Sequence, residues 1–148
     1  MFNDKASTLN GLIATTIDSA KGYEEAAQDT TDKRYEMMFK ERAQERNNAV
    51  LELRSEVRRL GEEPEDDGTV LAGAHRMFMG LKEAVVGQDD KAIVQEVERG
   101  EDHIKAKYEE ALQDDDLDPA SRTVVQNVWT SVKQGHDQMS ALKNQLES

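Results

Sequence analysis

Cysteine is absent from the 148-residue sequence. That removes disulfides, thiolate metal sites and thiol nucleophiles together. Proline occurs twice and aromatic residues make up only 5%. This scarcity, with 34% charged residues, points to an all-helical protein rather than a sandwich or barrel. No apolar run approaches the roughly 20 residues that span a bilayer. The amino terminus, "MFNDKASTLNGLIATTIDSA", lacks the long apolar core of a signal peptide, so the expected compartment is the cytoplasm. Positive charge is also in deficit: 19 basic residues stand against 31 acidic ones, a formal charge of -12. Such a surface repels phosphate backbones and anionic lipid, which excludes nucleic acid and membrane as natural partners.

What is present is helical periodicity over one domain, residues 1–148. Leu9, Leu12, Ile13, Thr16, Ile17, Ala20, Glu24 and Ala27 recur at three- and four-residue steps, one face of a helix over about 5–29. "DTTD" follows as a turn with several N-cap candidates. A second helix, about 32–60, carries Tyr35, Met38, Phe39, Arg42, Ala49, Leu53, Val57 and Leu60 on one face. It closes with Arg58 and Arg59 near the dipole's negative end, Gly61 as a left-handed C-cap and Pro64 just beyond. After the polar "EEPEDDG", residues Leu71, Ala74, Phe78, Leu81 and Val85 mark a shorter helix, about 70–86. Ile93, Val97, Ile104, Tyr108 and Leu112 mark another, about 89–113. "DDDLDP" breaks it. Asp118 then caps a final helix, about 119–147, with Pro119 at its first position and Val125, Val128, Val132, Met139, Leu142 and Leu146 facing inward.

Four long helices in two hairpins are thus joined by a long segment containing a short helix. A segment of that length can run back along the bundle, leaving the second long helix parallel to the third. One long crossover is the ferritin-like connection. An internal echo agrees: "YEEAAQD" at 23–29 recurs as "YEEALQD" at 108–114, each closing the first helix of its hairpin, as a duplicated hairpin would. Chance similarity between Glu- and Ala-rich helices is the plainer alternative.

The stretches "LNGLIATTIDSAKGYEEAAQD", "FKERAQERNNAVLELRSEVRRLGEEPED", "EVERGEDHIKAKYEEAL" and "GHDQMSALKNQL" resemble a family of small bacterial ferritin-like four-helix-bundle proteins of uncharacterised function. The resemblance covers almost the whole chain. It implies an all-α ferritin-like bundle with a short crossover helix, in a soluble, stress-associated bacterial protein. It implies no particular activity.

A ferritin-like di-iron site needs a Glu from each of two helices and a Glu-x-x-His from each of the others. Histidine occurs at 75, 103 and 136, preceded three residues earlier by Ala72, Gly100 and Lys133, so no Glu-x-x-His exists. In "EVERGEDHIKAKYEEALQD", Glu101 and His103 are two apart and point about 200° apart around the helix. Glu101 falls at the edge of the apolar face, Glu98 on the other flank and His103 toward water. Glu96, Glu109 and Glu110 read as a solvated face. After Glu45, the place for a histidine holds Asn48. Under the repeat, Glu101 pairs with Thr16 rather than with a second carboxylate. Glu24 and Glu109 correspond to each other, but at opposite ends of the bundle.

Arg42, near the centre of its stripe, and Arg46, at its edge, lie level with Glu101. Together they form the expected polar core layer, held by guanidinium–carboxylate ion pairs. Snorkelling of the long side chains to the surface is the competing account. Methionines, including the Met77–Phe78–Met79 region, read as core or contact surface, and Trp129 as core or interface anchor. The sequence therefore points to a non-enzymatic structural or protein-interaction bundle without cofactor, its partner a second copy or another protein. The alternative is an iron-binding or ferroxidase-like protein with an incomplete site drawn from Glu24, Glu45, Glu101 and His136.

Overall fold

The computed structural model describes residues 4–65 and 90–147. Among them are four helices: α1 (Asp4–Asp29), α2 (Lys33–Arg59), α3 (Asp90–Leu112) and α4 (Pro119–Glu147). Each expected boundary of these helices is met to within one residue. The helix expected over 70–86, with His75 and the Met77–Phe78–Met79 region, lies outside the described residues.

The ends of the helices follow from local chemistry. The Asp32 carboxylate accepts from the Arg34 N–H at 2.8 Å, capping α2. At the other end Gly61 takes φ +82. Its N–H reaches the Arg58 carbonyl, and the Glu62 N–H reaches the Val57 carbonyl. This is the paired closure that a left-handed residue permits. Asp118 accepts from the Ala120 N–H at 2.9 Å, with Pro119 opening α4. Asp90, at the head of α3, takes the hydroxyls of Thr30 (2.7 Å) and Thr31 (2.8 Å), pinning the α1–α2 turn to α3.

Side-chain contacts fix the direction of every helix. Thr8 meets Asp114, Thr16 meets Tyr108 and Thr30 meets Asp90, so α1 and α3 are antiparallel. Arg59 meets Asp118, Glu56 meets Ser121 and Arg42 meets Gln138, so α2 and α4 are antiparallel. Because α1 and α2 form a hairpin, α2 runs parallel to α3. Glu65 and Asp90 therefore stand at opposite ends of the bundle. The Glu65 N–H donates to Asn10 near the start of α1, and Asp90 holds Thr30 just past its end.

The core is divided. One apolar cluster joins Leu9, Leu12, Ile13, Val50, Leu53, Val57, Ile104, Tyr108, Val125, Val128 and Val132. The other joins Tyr23, Ala26, Phe39, Ala43, Ile93, Val94, Val97, Met139 and Leu142. Between them, at the middle of the bundle, every helix departs from apolar residues: Ser19 on α1, Arg46 on α2, Glu101 on α3 and Gly135 on α4. Both copies of the repeat bury their tyrosine, Tyr23 and Tyr108, and the alanine three residues on.

Four positions differ from the expected stripes. Glu24 is exposed and Tyr23 takes the inward place, because α1 is covered by both α2 and α3 and its buried face is wider than one stripe. Glu101 sits at the centre of its face, not at the edge. On α2 the order is reversed: Arg46 is the fully buried arginine, while Arg42 lies at the margin.

Candidate functional site

Arg46 and Glu101 are each 1% exposed. They meet fork to fork: Arg46 Nη1 donates to Glu101 Oε1 and Nη2 to Oε2, both at 2.7 Å. Nη1 also donates to Ser19 Oγ at 2.6 Å. The guanidinium carbon lies 5.4 Å from the centre of the Tyr23 ring, close enough for a cation–π contribution. Burial alone would lower the basicity of Arg46, but the Glu101 carboxylate more than offsets it and the net shift is upward. Burial, reinforced by the nearby Glu101 charge, pushes the Tyr23 hydroxyl well above its usual range. Tyr23 Oη and Arg46 Nε are buried without a hydrogen-bond partner among the described residues.

Gly135 makes room for this pair. A Cβ placed there would lie 2.6 Å from Arg46 Nη2 and 3.0 Å from Glu101 Oε2. The fourth helix thus contributes the missing side chain into which the ion pair fits.

Of the other residues singled out in the sequence, Arg42 donates to Gln138 Oε1 at 2.8 Å and to both oxygens of Glu45 at 3.0 and 2.9 Å. Glu45 also accepts from Ser131 Oγ at 2.5 Å. Arg42 and Glu45 therefore form a second, marginal network and do not join the Arg46–Glu101 pair. Glu24 faces solvent, within 3.4 Å of Asn47 Nδ2. His103 lines an open groove of about 660 Å³ between α1 and α3, with Thr8, Thr15, Lys107, Glu110 and Asp114. Partial burial and the positive charge of Lys107 lower its pKa. Trp129 packs against the first apolar cluster with its Nε1 buried and unpartnered among the described residues.

The four carboxylate and histidine candidates do not form one ligand set. Among the described residues, the group whose ligand atoms converge is Glu98, Asp102 and His136, all within 4.8 Å of one another. His136 Nε2 lies 2.6 Å from Asp102 Oδ1, and its Nδ1 lies 3.2 Å from Asp137 Oδ1. Burial lowers the pKa of His136, but the two carboxylates raise it by more, and the net shift is upward. Glu98 was placed on a flank of its helix and Asp102 was not singled out, because a Glu-x-x-His pattern within one helix does not involve them. Their i,i+4 spacing, which places two carboxylates on one face, was the available signal.

A bundle of two antiparallel hairpins around a buried, bidentate guanidinium–carboxylate pair is the class of protein that fold and site define. The chain belongs to the family described as Domain of unknown function (DUF2383), whose family model matches residues 4–114, covering α1, α2 and α3. Comparison with curated proteins gives no match.

Proposed function

We propose that this is a ferritin-like bundle with a non-enzymatic, structural or protein-interaction role, of the bacterial, stress-associated kind that its sequence resemblance implies. One observation carries the proposal: the Arg46–Glu101 pair stands where a ferritin-like enzyme would direct its metal ligands into the core. A guanidinium opposes a divalent cation at the same spot. It also takes both oxygens of the one fully buried carboxylate on the described helices. Two antiparallel hairpins, with α2 parallel to α3, support the ferritin-like assignment, since that order calls for a single long crossover.

The test is ferrous oxidation by protein purified without chelator. The proposal expects no saturable oxidation at two irons per chain. Stoichiometric binding of two irons with saturable oxidation, abolished by Glu45→Ala, overturns it. Metal handling is the second reading, and one feature favours it: the convergence of Glu98, Asp102 and His136 between α3 and α4. Binding without oxidation is the behaviour expected there.

A further inference from the structure

We infer that Glu98, Asp102 and His136 form a binding site for a single divalent transition-metal ion that ties α3 to α4. The three ligand atoms already converge within 4.8 Å. Two of the ligands are carboxylates one helical turn apart on α3, and the third is an imidazole from α4. One nitrogen and two oxygen donors suit Zn²⁺, Mn²⁺ or Fe²⁺ better than a metal that demands thiolate.

The histidine is held as a ligand is held. Asp137 Oδ1 lies 3.2 Å from Nδ1, on the side of the ring away from the cluster. A carboxylate on one ring nitrogen fixes the tautomer and aims the other nitrogen at the metal. The adjustment needed is small. His136 Nε2 and Asp102 Oδ1, now 2.6 Å apart, must separate by roughly 0.7 Å to match the donor spacing around tetrahedral zinc. The Asp102 side chain is 58% exposed and free to make that move. Glu98 is nearly buried and supplies a fixed anchor. Lys143 Nζ is 3.6 Å from Glu98 Oε1, beyond hydrogen-bonding distance, and can swing to solvent as the ion enters. The site shares no ligand with the central ion pair, although Asp102 follows Glu101 and His136 follows Gly135.

Calorimetric titration of ZnCl2 into chelator-stripped full-length protein tests the inference. One saturable equivalent is expected, with a rise in the thermal midpoint from mass action. Asp102→Asn, at an exposed position, and His136→Ala, at a largely covered one, should each weaken binding by at least about tenfold and remove the thermal shift. Asp137→Asn should weaken it by about tenfold, as loss of a histidine's supporting carboxylate does. Lys143→Met should tighten it, whereas Glu41→Gln on the exposed side of α2 should leave it unchanged. Absence of a saturable equivalent overturns the inference. So does binding that His136→Ala and Asp102→Asn leave untouched, which would be adventitious capture by the acidic surface. Ferrous oxidation is read separately, so failure here leaves the structural role standing.

Discussion

Breaking the central ion pair from one side differs in kind from removing it. Glu101→Ala leaves the Arg46 guanidinium buried, with Ser19 alone among the described residues to accept from it. Stranding a buried charge costs on the order of 3 kcal/mol. Urea titration should show a loss of that size, and a loss below about 0.5 kcal/mol would mean the pair is not held as described. Removing both partners with apolar replacements should recover most of the loss, since a buried pair adds little net stability over well-packed hydrophobes. Gly135 gives an independent measure of the same layer. Alanine normally improves a helix interior by about 1 kcal/mol over glycine. Here its Cβ would press to 2.6 Å from Arg46 Nη2, and overpacking a tight site costs about 1–3 kcal/mol. Gly135→Ala should therefore destabilise the protein. The sign should reverse in an Arg46→Ala, Glu101→Ala background, where the clashing atoms are gone. A stabilising Gly135→Ala in the native background would contradict the packing at this level.

Helix ends are where sequence and structure agree most closely, because their chemistry is local. Gly61 is the example: its φ of +82 costs a non-glycine residue about 1–2 kcal/mol. Gly61→Ala should lower stability by that amount in thermal or urea melts, and Gly61→Asn by less, since asparagine tolerates the left-handed region. Equal losses for the two would point to something other than backbone conformation. Asp118–Pro119 and the long apolar repeats of α2, α3 and α4 were legible for the same reason. The centre of the bundle was legible only in part. Arg46 and Glu101 could be paired by level, but which of Arg42 and Arg46 goes inward depends on the rotation of α2, which a stripe of mixed residues does not fix. Glu24 was placed inward where Tyr23 is buried, because α1 is covered on two sides and single-stripe periodicity describes a helix buried on one. The Glu98–Asp102–His136 cluster joins two helices, and the i,i+4 carboxylates of α3 show only one side of it.

The two apolar clusters, separated by the polar layer, each contain one fully buried tyrosine: Tyr108 in the first and Tyr23 in the second. This links the stability of the whole bundle to alkaline pH. Burial raises the Tyr108 hydroxyl from 10.0 to about 12, against a lowering effect from its 2.5 Å hydrogen bond with Thr16. Burial also drives Tyr23 upward. A raised folded-state pKa means that folding favours the protonated hydroxyl. The associated stability is fully present below about pH 10, the unfolded value, and is lost as pH rises toward 12. At 1.36 kcal/mol per unit, Tyr108 alone accounts for about 2–3 kcal/mol of that loss. Urea midpoints should hold steady to about pH 9.5 and fall steeply from about pH 10 to 12. Tyr108→Phe should flatten part of the fall, at a fixed cost from leaving Thr16 without its tyrosine partner. Absorbance of the tyrosinate form should show two of the three tyrosines ionising late and together with unfolding. If all three ionise near pH 10 while the helical signal persists, the buried positions of Tyr23 and Tyr108, and with them the two-cluster core, are wrong.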